Sequence, residues 1–253
     1  MPQAKNFKLT KDVQMTFVSD CESIFTRMKQ VDGCNNTSRV IRGYGKCASG
    51  YFEDALASMI YKNIVCDDPD YFALVDWPIV LGKQNKQDSS GKAKQLRLDF
   101  VLAKKCSDGA LEIVYIAELK NNLGFRRNAI QNDKICLEQK DRLDQLKSAR
   151  MHLSSKRIIY GSNGRQKFVI AQDIKFDLIV YSSCNSGSSK KANGQNPVRA
   201  LASRTNKDIG KDEVWVHVLC DLDDKTVNNE VHGQVSSEKD FQNLEMRIRL
   251  QMK

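Results

Sequence analysis

The sequence predicts an α/β domain with a mixed central sheet flanked by helices and with elaborations at both ends. Three observations lead there. Two strand-like runs, "LRLDFVLAKK" and "LEIVYIAELK", flank an Asp-Gly turn signal in "CSDGA". Segments with apolar residues at helical spacing precede and follow them. Further strand-like runs come after the second helical segment, and the order helices, strands, helix, strands is that of an α/β or α+β domain. At 253 residues and 41% hydrophobic content, the chain can bury one substantial core, so 1–253 is expected to be a single domain.

Val13, Phe17, Cys21, Ile24 and Met28 predict an amphipathic N-terminal helix over 12–30. A glycine-containing loop with Arg39, Arg42 and Lys46 follows. Ser49 is a candidate cap for a helix over 51–65, "YFEDALASMIYKNIV". "ALVDWPIVL" (73–81) reads as a strand and the lysine-rich 82–95 as a polar loop. After the hairpin, Ile130, Leu137, Leu143 and Leu146 mark a long charged helix over 126–150. Strands are expected at 167–171, 176–182 and 213–220, and a helix at 237–250 with Ser237 as its cap. Residues 183–197 are too rich in Ser, Gly and Asn to pack, so a mobile loop is expected there. The core is therefore set at about 50–182, with 183–253 a C-terminal elaboration.

A formal net charge of +9 and a pI near 9.1 favour a polyanionic partner, nucleic acid before an anionic membrane. Eight cysteines and three histidines are scattered, with no CxxC pair, which argues against a zinc site. The first residues, "MPQAKNFKLTKD", carry no apolar signal segment, and no run approaches the ~18 apolar residues of a membrane span. A cytoplasmic protein with reduced thiols is expected, with no membrane partner.

The strand "VYIAELKNN" (114–122) is apolar until Glu118 and Lys120. With Asp108 and Gly109 as a two-residue turn, Lys105 meets Glu112, Leu102 meets Tyr115 and Phe100 meets Ala117. Asp99 then opposes Glu118. Period-two alternation puts Asp99, Val101, Ile116, Glu118 and Lys120 on one face. Leu98, Phe100, Leu102, Tyr115, Ala117 and Leu119 fall on the other. Opposed carboxylates with Cβ atoms about 5 Å apart repel by roughly 3 kcal/mol at an effective dielectric near 20. A divalent cation would convert that repulsion into chelation, and hard oxygen ligands suit magnesium or manganese. Beside the metal, Lys120 would handle a water or stabilise developing charge, an arrangement suited to phosphodiester hydrolysis. The bland alternative is a solvated strand face with a salt bridge. The same register opposes Arg97 to Lys120, which requires splayed strands or an intervening phosphate.

Asp99, eighteen residues, then Glu118-Leu119-Lys120 resembles the PD-(D/E)XK nuclease superfamily, with Leu98 where the name-giving proline would stand. The resemblance covers an α-β-β-β-α-β core and implies a restriction-endonuclease-like fold. It implies Mg2+, with Mn2+ as a substitute, bound by Asp99, Glu118 and the Leu119 carbonyl. It also implies Lys120 as a catalytic residue and Glu53, on the preceding helix, as an added acid. A glutamine of the following helix, Gln139 or Gln145, is an alternative auxiliary residue. The activity implied is a DNA endonuclease on double-stranded DNA. Type II restriction enzymes of this length fit best, which leaves a homodimer open. A repair or recombination nuclease, an RNA-directed nuclease and a non-catalytic nucleic-acid-binding module share the same signal. Arg42, Lys46, Arg97, Arg126 and Arg127 are candidate phosphate contacts. "GYGKCASG" (43–50) lacks the GxxxxGK[ST] pattern of a nucleotide phosphate loop. Nothing orients the three histidines toward a nucleophile.

Overall fold

A computed structural model describes residues 7–33, 46–81, 95–120, 133–149, 153–155, 166–182, 197–223, 232–235 and 238–252. Helices α1 (Lys11–Gly33) and α2 (Lys46–Ile60) come first, and α2 runs on into a wider i→i+5 turn, Tyr61–Val65. Three strands follow: β1 (Tyr71–Val80), β2 (Gln95–Lys105) and β3 (Leu111–Lys120). Then come α3 (Lys134–Ser148), β4 (Leu153–Ser155), β5 (Gln166–Ser182), α4 (Pro197–Thr205), β6 (Val216–Asp223), β7 (His232–Val235) and α5 (Glu238–Gln251).

The seven strands form one mixed sheet. β1, β2 and β3 are an antiparallel meander, and β5 returns parallel to β3. β6 lies parallel to β5, and β7 pairs antiparallel to β6. The first half of β5 bonds to both β3 and β4, and β4 touches β1 at Val80 and Ser154, so the sheet curls back on itself at that end. One face carries a core built with α1, α2 and α5, including Phe17, Phe52, Leu56, Ile60, Tyr115 and Phe241. On the other face α3 covers Val101, Ile116 and Phe176 with Leu143 and Leu146. There too, α4 joins Ile135 and Cys136 over Leu178, Val180 and Val218. The outcome is three layers, helices on both sides of a sheet, as the alternation of elements predicts.

Several boundaries differ from the sequence reading. Helix α2 begins at Lys46, so Ser49 lies inside it and is not its cap. β5 is one 17-residue strand where two were expected; its register against β3 shifts between Ile113 and Tyr115, which lets it continue through the polar "AQD". β4, α4 and β7 are additional: the two strands are short and held by pairing, and the nine-residue α4 is seated by the buried Val198 and Leu201. Leu137 is 56% exposed, and the inward face of α3 uses Ile135 and Cys136 instead. Segment 126–132, most of the expected loop 183–197 and Ser237 lie outside the described residues.

The hairpin turn also differs. A type I′ two-residue turn needs positive φ at both central residues. Only Gly109 has it (φ 81), because the Asp108 carboxylate accepts the Ala110 N–H at 3.0 Å and holds Asp108 in an ordinary turn conformation. The loop is therefore three residues, closed by Cys106 N–H to the Ala110 carbonyl at 2.9 Å. Lys105 faces Leu111 and Lys104 faces Glu112, one residue off the expected register. An irregularity between Leu102 and Ala103 restores it. Leu102–Tyr115, Val101–Ile116 and Phe100–Ala117 pair as the sequence reading requires, because the two offsets cancel.

At the heart of the sheet, Asp177 on β5 is fully buried. Its carboxylate accepts hydrogen bonds from Tyr115 Oη (3.0 Å), the Trp215 amide (3.1 Å), His217 Nε2 (3.1 Å) and Arg247 Nε (2.8 Å), with a second Arg247 contact from the same guanidinium. Arg247 itself is buried and also donates to the Ile209 and Asp212 carbonyls. Burial pushes the Asp177 carboxyl up, but the Arg247 charge and the donors from His217 and Arg247 outweigh it and hold it below the usual range. This network ties α5 to three strands.

Candidate active site

The sequence signals converge where β2 and β3 part. Ladder pairing between them runs to Phe100–Ala117 and stops one residue short of Asp99 and Glu118. Beyond that point the Asp99 side chain substitutes for the ladder, its Oδ2 accepting the Leu119 N–H at 2.8 Å. On the opposite flank of β2, pairing with β1 is interrupted at Asp76, the residue across from Asp99, which takes φ 47. A left-handed non-glycine residue breaks the pleat. The consequence is visible in the cores: Val75 and Phe100 pack into one, Trp77 and Leu98 into the other. Leu98 therefore does not share a face with Phe100, contrary to simple alternation. The same divergence removes the expected clash of Arg97 with Lys120. Arg97 forms a two-pronged ion pair with Asp76 instead, one arm being Nε to Oδ1 at 2.7 Å.

Asp99, Glu118 and Lys120 share one rim. Lys120 Nζ donates to Glu118 Oε1 at 2.6 Å and lies 3.7 Å from Asp99 Oδ2, so both carboxylates converge on a single ammonium. Glu118 is nearly buried, with a side-chain exposure of 11%, and its other oxygen, Oε2, accepts from Arg142 of α3. Arg142 also donates to the Arg97 carbonyl, and its Cζ lies 5.7 Å over the Phe176 ring. Burial pushes the Asp99 carboxyl above its usual range and the Glu118 charge adds to that, while Lys120, the Leu119 amide and Arg142 pull the other way.

Helix α2 supplies Glu53. Phe52, Leu56, Ala57 and Ile60 are buried against the sheet and hold this stretch of helix over the site, with Glu53 half-buried. Desolvation, then the negative charges of Asp99 and Asp76, push its carboxyl up to about 7 despite Lys120. Glu53 thus feels the charges of Asp99 and Asp76, and Asp99 that of Glu118, with Lys120 opposing both shifts and Arg142 that of Asp99.

Leu119 engages Asp99 through its amide, and its side chain is buried. Lys46 stands in the first turn of α2. Arg97 is exposed but committed to Asp76. Arg42, Arg126 and Arg127 lie outside the described residues. From α3 it is Arg142 that reaches the carboxylates, while the buried Gln139 donates back to the Ile135 carbonyl at 3.0 Å. Sequence reasoning missed Asp76 and Arg142. An acid inside the apolar "ALVDWPIV" was a signal for the first; a charged helix offers none for the second.

Comparison of the chain with models of known protein families, with curated proteins and with solved structures finds no match. The chemistry must be judged from the side chains. Among the described residues, no group of three or more His, Cys, Asp or Glu side chains is disposed to hold a metal ion. Asp99 and Glu118 are a two-carboxylate, all-oxygen set. That composition fits magnesium, which keeps several waters and takes one or two carboxylates together with substrate phosphate. An ammonium already occupies the space between them, which marks that space as favourable to positive charge. Among the described residues, no helix is long and apolar enough to cross a membrane. Among the described residues, Cys21, Cys66, Cys106, Cys136 and Cys220 form no disulfide.

Proposed function

We propose that the chain is a metal-dependent endonuclease that hydrolyses DNA phosphodiester bonds on a restriction-endonuclease-like core, in the manner of a type II restriction enzyme. The observation that carries this reading is the meeting of Asp99, Glu118 and Lys120 around one ammonium, at the open end of the β2–β3 ribbon. The order α2–β1–β2–β3–α3–β5, with β5 parallel to β3, supports it. So does the net charge of +9, which favours a polyanionic substrate.

Asp99 and Glu118 would hold Mg2+ or Mn2+, with the Leu119 carbonyl as a third oxygen. The bound ion would polarise the scissile phosphate and acidify a water. Lys120, released from between the carboxylates, would hold the attacking water or stabilise charge developing on the phosphate. Glu53, with a carboxyl near neutrality, is suited to exchange a proton with that water.

A second reading has its own observation. Both oxygens of Glu118 already face cations, Lys120 and Arg142, which is also what a closed, non-catalytic ion-pair network looks like. That favours a nucleic-acid-binding module of the same architecture. Incubating the protein with supercoiled plasmid in Mg2+ and in EDTA separates the two. Discrete, metal-dependent fragments support the restriction enzyme. A smear points to a non-specific nuclease, and retarded migration without cutting to the binding module. Single-stranded RNA in the same assay tests the RNA-directed alternative.

A further inference from the structure

Arg142 spans the place where the active-site ribbon opens. Its guanidinium leaves α3, donates through one terminal nitrogen to Glu118 Oε2 on β3 and through the other to the Arg97 carbonyl on β2. The Phe176 ring lies beneath it at 5.7 Å, and the side chain is 24% exposed. Ladder hydrogen bonds between β2 and β3 end at Phe100–Ala117. Beyond that pair, the described links between the two strands are the Asp99–Leu119 hydrogen bond, the Lys120–Asp99 ion pair and this guanidinium bridge.

We infer that Arg142 is a positioning residue for the metal site, a rigid brace that fixes the far oxygen of Glu118 and thereby presents the near oxygen to Asp99. The inference rests on the metal-site reading above. Glu118 Oε1 points toward Lys120 and, through it, toward Asp99, so an ion shared by the two carboxylates takes the space on the Lys120 side. Arg142 holds Oε2 on the other side and has no need to leave. Its second anchor, a main-chain oxygen of β2, sets how far the strands separate and hence the spacing of Asp99 and Glu118. A planar fork with five N–H donors can satisfy two acceptors on two strands at once, whereas an ammonium is a point charge on a flexible stem. Arginine is therefore required for its shape as well as its charge. Partners of this kind, hydrogen-bonded to a ligating carboxylate, commonly govern metal affinity.

The test uses the full chain and Mn2+ alone, with free Mn2+ followed by electron paramagnetic resonance and fold integrity by thermal melting. The parent protein should bind Mn2+, and Glu118→Gln should remove that binding. Arg142→Gln and Arg142→Lys should both weaken it about 10–100-fold, and cleavage by either variant should recover as Mn2+ is raised. Should Arg142→Lys bind Mn2+ within about twofold of the parent, well short of the usual loss, charge alone suffices and the brace is overturned. Lowered melting temperatures with unchanged Mn2+ affinity would overturn it as well, by reducing Arg142 to a structural residue. A parent protein whose Mn2+ binding is insensitive to Glu118→Gln would defeat the metal-site reading itself, an outcome visible before any Arg142 variant is compared.

Discussion

Replacing Glu53 by Gln should make the protein more stable at pH 8 and leave its stability unchanged at pH 4.5. In the folded chain the Glu53 carboxyl is raised from an ordinary 4.5 to about 7, by desolvation first and then by Asp99 and Asp76. Its charged form is the disfavoured one. Below about pH 4.5 the group is protonated in both folded and unfolded chains and imposes no cost. Between there and pH 7 the unfolded chain ionises first, so folding becomes progressively less favourable, and above pH 7 the whole cost is present. Taken at face value the shift is worth roughly 3 kcal/mol. Glu53 is only half-buried, however, and water screening reduces the figure to about 1 kcal/mol. For a chain of this size that is a rise in melting temperature of about 2–4 °C. Thermal unfolding of parent and Glu53→Gln in EDTA at pH 4.5, 6 and 8 measures it. A difference that does not change with pH, or a variant less stable than the parent at pH 8, would refute the premise that acids are crowded against one another here. Added Mg2+ should stabilise the parent more than the variant, since the ion relieves the repulsion that Glu53 helps to create.

Glu118→Ala and Lys120→Ala should each abolish Mg2+-dependent plasmid cleavage while leaving DNA retardation in gels largely intact; parental cutting rates in both would remove them from the chemistry. Asp177→Ala leaves the buried Arg247 and His217 without their shared acceptor and should cost about 3–5 kcal/mol, measured by urea unfolding; a loss under about 1 kcal/mol would contradict the network's role. Because the Asp177 carboxyl is held below its ordinary range, its contribution is complete at neutral pH and fades as the pH falls below about 4. Gly109→Ala meets no atom within 4 Å of the added Cβ, so its cost is the left-handed backbone alone, about 1–2 kcal/mol, and Gly109→Asn should cost less.

The two sides of the site were not equally legible in the sequence. Glu118 and Lys120 stand out because a charged pair ends an otherwise apolar strand, and Asp-Gly ties them to Asp99 across a short hairpin. Both are local facts. The inferred pairing of Leu102 with Tyr115 and Phe100 with Ala117 is correct, although the loop has three residues and a compensating irregularity absorbs the difference. Glu53 could be read from its position among apolar residues at helical spacing. Asp76 could not be brought to the site, because the segment between β1 and β2 is too long to fix their register.

What the sequence determined by itself was therefore periodic or short-range: the order of helices and strands, the apolar faces, and the acids and lysine at one end of a hairpin. Arg142 reaching across two strands, Asp76 kinking the sheet opposite Asp99, and Asp177 gathering four partners in the core were decided only by tertiary structure. The physical reason is that hydrophobic periodicity reports which face of an element is buried. It does not report which charged side chains, far apart in the chain, will meet once those faces have closed.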